Sequence, residues 1–377
     1  MPLNTIPNKG LTSRGYPSDR IVTPLIINGD MQVAQRGAGP SGAFAGSGYS
    51  EGPDRFRHGI SNLGNWKTAQ STTVPTGQGF SKSFKIECDT ADASPAASDE
   101  AAINYRLEGQ NLQSLKKGTS NAEAVTIAFW VRSTKTGTHI VELFDADNSR
   151  TVSQAYTVSS SNTWEKKVLN FPADTTGALD NDNARSLQIN FWLGAGSDFT
   201  SGTLATTWAS QTNANRAVGQ VNLADSTSNE WYITGLQMEV GEFDSTTIPS
   251  FPFESFESNL RKCQRYYYKH MSGNGKNICS GNYYDSGTFY GSVFFPVPMR
   301  ASPTIEMVSG TDYYRLSTAN SSNNGLVDDF NVGFIAFAGD GISIGLGVNS
   351  GLSGVGGYGA TMSGNNSSAE LAFGSEL

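Results

Sequence analysis

The sequence predicts an all-β protein made of two β-sandwiches joined by a short helical connector. Three observations carry this reading. Apolar residues alternate with polar ones at period two in segment after segment, as half-buried strands require. Turn clusters rich in Asp, Asn, Ser and Gly separate these segments at sandwich-like spacing. At 377 residues the chain is longer than one sandwich core serves, so two cores are expected.

Along the chain, Pro2, Pro7, Gly10, Gly15 and Pro17 forbid a continuous helix or central strand, and residues 1–21 read as an extended arm. Met1 to Arg14 also lacks the apolar core of a secretory signal. From Gly37 to Pro53 the small, flexible residues predict a long surface loop. Strands follow. In VTIAFWVRS, Val125, Ile127, Phe129 and Val131 face one way and Thr126, Ala128, Trp130 and Arg132 the other. SLQINFWLG repeats the pattern, with Leu187, Ile189, Phe191 and Leu193 inward and Gln188, Asn190 and Trp192 outward. WYITGLQMEVGEF sets Leu236, Met238 and Val240 against Gln237 and Glu239. Turns are expected at Asp145 to Ser149, Ser159 to Asn162 and Asp180 to Asn183.

Glu254 to His270 is the one segment with helical spacing: Ser255 can cap it, and Phe256, Leu260 and Cys263 recur on one face. Beyond it, FYGSVFF, TIEMV and NVGFIAFAG near Phe334 read as strands, and the Gly-rich stretch 341–364 favours tight turns. The resulting division is an arm at 1–21, a first sandwich at 22–246, a linker and helix at 247–263, and a second sandwich at 264–377. No fixed-period repeat is present, which weighs against a solenoid or propeller.

Only 16% of residues are charged, and neutral hydrogen-bonding groups make up most of the polar surface. With a net charge of -8 and no Lys or Arg block, nucleic acid is excluded as an expected partner. No apolar run approaches the roughly 20 residues of a membrane helix. Cys88, Cys263 and Cys279 are an odd number without a close pair, so buried thiols are expected rather than disulfides or a zinc site.

Catalytic patterns are absent. His58, His139 and His270 lie in unlike contexts with no nucleophile elbow and no metal-binding spacing, so no catalytic residue, cofactor or metal ligand is assigned. Polysaccharide hydrolysis needs only two carboxylates across a groove, and Glu142, Asp145, Glu239 and Glu242 sit on or beside strands, where solvated acids are also ordinary. Asp145 with Asp147, and Asp180 with Asp182, could serve a structural Ca²⁺ or simply make Asx turns. The candidate binding surface is the mixed face of the two strongest strands. If they share a sheet, Trp130, Arg132, Gln188, Asn190 and Trp192 lie together and combine flat aromatics for stacking with planar amides for sugar hydroxyls. The plainer reading packs those aromatics under a loop or at a subunit contact. Tyr283, Tyr284, Tyr290, Tyr313 and Tyr314 are similarly divided between core and interface.

LIINGDMQVAQRG (Leu25 to Gly37) with Asp54-Arg55-Phe56 resembles the opening of phage tail-fibre and virion structural proteins that carry a jelly roll similar to carbohydrate-binding modules. ITGLQMEVGEF resembles that module's closing strand and SFESNLRKCQRYYYK the connector after it, while FFPVPMRASPT is similar to a signature of the family's small β-domain. The resemblance implies a jelly-roll first sandwich and a virion location on a tail appendage. It does not transfer a sugar ligand, because the matched positions are strand and turn residues; an arm docking onto other tail proteins and a C-terminal tip contacting host polysaccharide or lipopolysaccharide are expected from the virion location. Avidity favours a homo-oligomer, expected as a homotrimer. An adhesin is the leading expectation; a purely structural tail, collar or capsid-fibre component and a polysaccharide depolymerase are the alternatives.

Overall fold

A computed structural model describes residues 24–319, 325–329, 343–348 and 357–377. The arm at 1–21, the strand expected near Phe334 and residues 341–342 and 349–356 of the Gly-rich stretch lie outside the described residues.

The alternating segments form antiparallel strands. In chain order the first half contains β1 (Phe56–Ser61), β2 (Asn65–Ser71), β3 (Ser83–Thr90), β4 (Glu100–Glu108), β5 (Val125–Ser133), β6 (Gly137–Asp145), β7 (Arg150–Val158), β8 (Glu165–Phe171), β9 (Arg185–Ala195), β10 (Ala209–Ser210) and β11 (Glu230–Val240). A six-stranded sheet ordered β1-β4-β9-β6-β7-β10 faces a five-stranded sheet ordered β2-β3-β11-β5-β8. Sequence neighbours thus change sheets repeatedly, as in a jelly roll. The inward side chains of both sheets make one core, in which Phe129 meets Phe191 edge-on at 5.2 Å and Trp66 and Trp231 are wholly buried.

A single-turn helix α1 (Ser197–Thr200) lies in the long β9–β11 connection, and α2 (Phe256–Gln264) leads out of the sandwich. Ser255 caps α2, its hydroxyl accepting from the Ser258 amide at 3.2 Å, and Arg261 and Lys262 oppose the negative end of the helix dipole. The helix stops six residues short of the expected His270. From Tyr267 the backbone extends because the aromatic run pairs with the last strand instead.

The second half contains β12 (Tyr267–Ser272), β13 (Asn277–Tyr283), β14 (Phe289–Phe294), β15 (Thr304–Val308), β16 (Tyr314–Thr318), β17 (Gly325–Val327), β18 (Ser343–Val348), β19 (Gly359–Gly364) and β20 (Glu370–Gly374). A three-stranded sheet, β12-β20-β15, and a six-stranded sheet, β17-β16-β19-β13-β14-β18, close over a separate core that includes Phe289, Tyr314, Leu316, Met362 and Phe373. Tyr283 and Tyr314 are core residues, whereas Tyr284 and Tyr290 stand on the surface, ring against ring at 5.9 Å. All three cysteines are buried and unpaired.

Segments far apart in sequence converge where the two halves meet. Asn28, in the left-handed conformation that Asn tolerates, has its amide held by Asn259 at 2.8 Å, and Asn259 in turn donates to Asp30 at 3.0 Å. Gln35 donates to the Tyr267 carbonyl at 2.6 Å. Arg265 makes a bidentate pair with the buried Glu108 at 3.0 and 2.9 Å, and the Tyr266 hydroxyl donates to the same carboxylate. Arg300 reaches the carbonyls of Ser375, Glu376 and Asn183 at 2.7–2.9 Å. The motif residues of the opening, the connector and the second half are therefore spent on one seam.

Candidate functional site: the outer face of the six-stranded sheet

The expected binding surface does not assemble as proposed from the sequence. β5 belongs to the five-stranded sheet and β9 to the six-stranded one, so the sandwich core separates their outer faces. Trp130 and Arg132 lie on one side of the molecule and Gln188, Asn190 and Trp192 on the other. The physical reason is topological: period-two alternation tells inward from outward but not which sheet a strand joins. Arg132 lies over the Tyr232 ring at 4.7 Å and donates to the Asn162 carbonyl at 3.1 Å.

On the six-stranded sheet, register lines up outward side chains in rows across the strands. One row runs Gly59, Ala102, Trp192, and a second runs Arg57, Asn104, Asn190, Glu142, Ser153. A third holds Arg106, Gln188, Phe144 and Thr151. The first row is covered. Trp192 packs with Ala102, Ile140, Phe199 and Ala217 in a small apolar cluster under the 195–217 segment, leaving it 2% exposed. Glu142 holds that cover down. It is wholly buried, its carboxylate accepts from Arg216 at 2.7 and 3.0 Å, and Asn190 and the Trp192 indole also donate to it at 2.9 and 3.2 Å.

Where the cover ends, the remaining rows form a basic strip. Asn104 donates to Asn190 at 2.7 Å and Gln188 donates to Asn190 at 2.6 Å, making a floor of interlocked planar amides. Three half-buried arginines stand on it: Arg57 donates to Asn104 at 3.1 Å, Arg106 to Gln188 at 2.8 Å, and Arg185 to Gln188 at 3.1 Å. Arg106 also donates to the main-chain oxygen of Leu377, and Arg185 lies 5.8 Å from the Phe144 ring centre. None of the three pairs with an Asp or Glu among the described residues. Burial, together with the charges of Arg57 and Arg185, pulls the Arg106 guanidinium down to about 10. Burial and Arg185 lower Arg57 in the same way. Tyr49 closes one side, its buried hydroxyl without a hydrogen-bond partner. Burial pushes its phenol up to about 12, so it stands ready as a donor.

Gln188 and Asn190 thus belong to this strip, Trp192 lies beneath its cover, and Trp130 and Arg132 are elsewhere. Arg57, Arg106, Arg185 and Tyr49 escaped sequence reasoning. The parity of Phe56, Tyr105 and Leu107 marks Arg57 and Arg106 as outward, but only the β1–β4–β9 register brings them together.

The other sequence candidates are engaged structurally. Asp145 is buried and bound to the Lys117 ammonium, and it also accepts from the amides of Asp147 and Asn148 at 3.0 Å. Asp147 accepts from the Asp180 amide at 2.9 Å and Asp182 from that of Ala184 at 2.8 Å, so both pairs make turns. No group of three or more His, Cys, Asp or Glu suited to a metal occurs among the described residues. His58 stacks on Phe44 at 3.8 Å, His139 on Tyr156 at 5.3 Å, and His270 bridges the Tyr268 hydroxyl and the Ile278 carbonyl. Burial raises the Glu239 carboxyl.

No family model matches the chain, and no curated protein does. Among solved structures it is similar to the enzymatically active domain of tailspike protein 4 of bacteriophage CBA120, at 13% identity and a TM-score of 0.29 over 58% of this chain. The match spans 21% of that tailspike chain. It is also similar to a xylan-binding domain from Paenibacillus barcinonensis, at 11% identity and TM-score 0.24, covering 50% of this chain and 87% of that one. A third similar structure is a family 11 carbohydrate-binding module of a Clostridium thermocellum cellulosomal cellulase, at 11% identity and TM-score 0.25, covering 57% and 95%.

Proposed function

We propose that this protein is a non-enzymatic adhesive component of a bacteriophage tail appendage, contacting host surface glycans through the basic strip on its jelly roll. The observation that carries the reading is the strip itself. Planar amides locked to one another hold three guanidinium groups on a rigid sheet face, with the Tyr49 phenol beside them, which suits sugar hydroxyls. The virion assignment is supported by the sequence segments that resemble tail-fibre proteins and occur in their order. We place the contact on the first sandwich rather than on a C-terminal tip, because the amides and arginines are there. Copies assembled as a homotrimer would multiply weak contacts.

The test is to locate the protein in intact particles by antibody labelling and to measure binding of the purified chain to the bacterium those particles infect. Distal exposure with cell binding supports the adhesin. Burial between other tail components, with no cell binding, overturns it in favour of a purely structural role. That second reading has an observation of its own, because the signature segments build the seam between the halves. Release of reducing ends from host polysaccharide would instead establish a depolymerase.

A further inference from the structure

We infer that the basic strip takes an acidic glycan, one bearing a carboxylate or phosphate, and seats its anionic group between Arg57, Arg106 and Arg185. The inference rests on the reading of this face as the glycan site. It follows from a charge imbalance that the fold does nothing to relieve. The chain carries a net charge of -8, yet three guanidinium groups share one strip of the sheet face without an Asp or Glu partner among the described residues; Arg106 is held by the main-chain oxygen of Leu377, while Arg57 and Arg185 reach only side-chain amides. Other buried arginines nearby are neutralised: Arg55 and Arg36 by Glu376 at 2.7 and 3.1 Å, and Arg216 by Glu142 at 2.7 Å. Like charges brought together at reduced exposure cost stability unless an anion joins them.

The geometry of the strip supports the same conclusion. Asn104 and Gln188 accept from the arginines and so aim the guanidinium forks, leaving their remaining N–H groups for a ligand. A fork of this kind meets a carboxylate or phosphate with two parallel hydrogen bonds. The Tyr49 hydroxyl, buried and unpartnered close to Arg57 and Arg106, supplies a further donor. A neutral sugar would satisfy none of the excess positive charge.

The test uses the full chain and a glycan panel immobilised in matched pairs. One set comprises uronic-acid polymers and the same polymers after reduction of the carboxylates to alcohols; the other comprises phosphorylated oligosaccharides and their dephosphorylated forms. The expected result is binding to charged members only, weakening as salt is raised, with Arg57→Gln and Arg185→Gln each reducing affinity about tenfold or more. Preference for the carboxylate or the phosphate set identifies the anion. Arg106→Gln is read only where circular dichroism shows it folded; the other two variants leave the Leu377 contact in place. Equal binding to both members of each pair overturns the charge inference while the glycan reading stands. Binding to no glycan at all overturns both.

Discussion

Arg55 and Glu376, 321 positions apart, form a 2.7 Å ion pair in which the arginine side chain is 1% exposed and the carboxylate 10%. The same guanidinium donates to the Arg106 carbonyl at 2.8 Å and lies 3.4 Å from the Tyr266 ring centre, so one side chain ties β1 and β4 to the connector and the last strand. Arg55 does this at φ +77°, a left-handed conformation unfavourable for a long side chain, which the surrounding contacts hold in place. Arg55→Met leaves Glu376 with Arg36 at 3.1 Å but removes the ion pair and the bond to the Arg106 carbonyl, and should cost about 1.5–3 kcal/mol, read as a lower urea midpoint. Arg55→Lys should recover little, because an ammonium cannot make the forked contacts. A midpoint within experimental error of wild type for Arg55→Met would show that the seam does not depend on this pair.

Much of the fold was legible because burial imposes a parity on strands. The β5, β9 and β11 alternations are observed, as are the hairpin at Asp145 to Ser149 and the cap at Ser255. What the pattern lacked was pairing. The strips Val125–Ser133 and Arg185–Ala195 read alike in sequence, yet one pairs with β11 and β8 and the other with β4 and β6. Separating Trp130 from Trp192 therefore required long-range register. The connector shows the other weakness of local reading. Helical spacing continues past Gln264, but Tyr267 gains a strand partner in Gly374 that no local signal reveals.

The histidines predict a loss of stability on mild acidification. Burial lowers His58 and His139 from 6.5 to about 4, and their side chains lie in residues 7% and 0% exposed. The unfolded chain protonates both near 6.5 while the folded protein resists until about 4. Their contribution is thus undiminished above the unfolded value, falls as pH drops through that window and levels off below it. Each accounts for up to about 3 kcal/mol. His139→Phe keeps a ring against Tyr156 and removes the titration. Thermal midpoints at pH 7 and pH 4.5 should therefore lie closer together in the variant than in wild type; an unchanged gap would remove His139 from the account.

Lys117 occupies the place a cation would need beside Asp145. Its ammonium binds Asp145, reaches Asp174 at 2.9 Å and the Gly177 carbonyl at 2.8 Å, and Asp174 is further paired with Arg150 at 2.8 Å. A calcium ion there would face a buried positive charge, so adding Ca²⁺ or a chelator should leave the melting temperature unchanged. Lys117→Met leaves Asp145 buried without its cation and should cost about 3–5 kcal/mol. A melting temperature that rises with millimolar Ca²⁺ in wild type would contradict this arrangement.

Glu142 gives the sharpest separation between a reactive carboxylate and a structural one. Three donors from Arg216, Asn190 and Trp192 converge on its Oε2 and the Arg216 Nε on its Oε1, so the carboxylate is committed to the cover and wholly buried. A general acid or base must reach its proton acceptor or donor within hydrogen-bond distance, and the 195–217 segment lies over this one. Glu142→Gln should therefore act on the cover rather than on any bond cleavage. The neutral amide loses the bidentate pair with Arg216, leaves a guanidinium uncompensated, and places an N–H where an acceptor was required. Hydrogen exchange should rise at Phe199 and Ala217, whose mutual backbone bond at 2.9 Å secures the segment. Protease sensitivity should rise over the same stretch, with global stability lowered by about 3–5 kcal/mol. Exchange that stays at wild-type levels in this segment, alongside a loss of any polysaccharide cleavage measured for the intact chain, would move Glu142 from scaffold to catalyst.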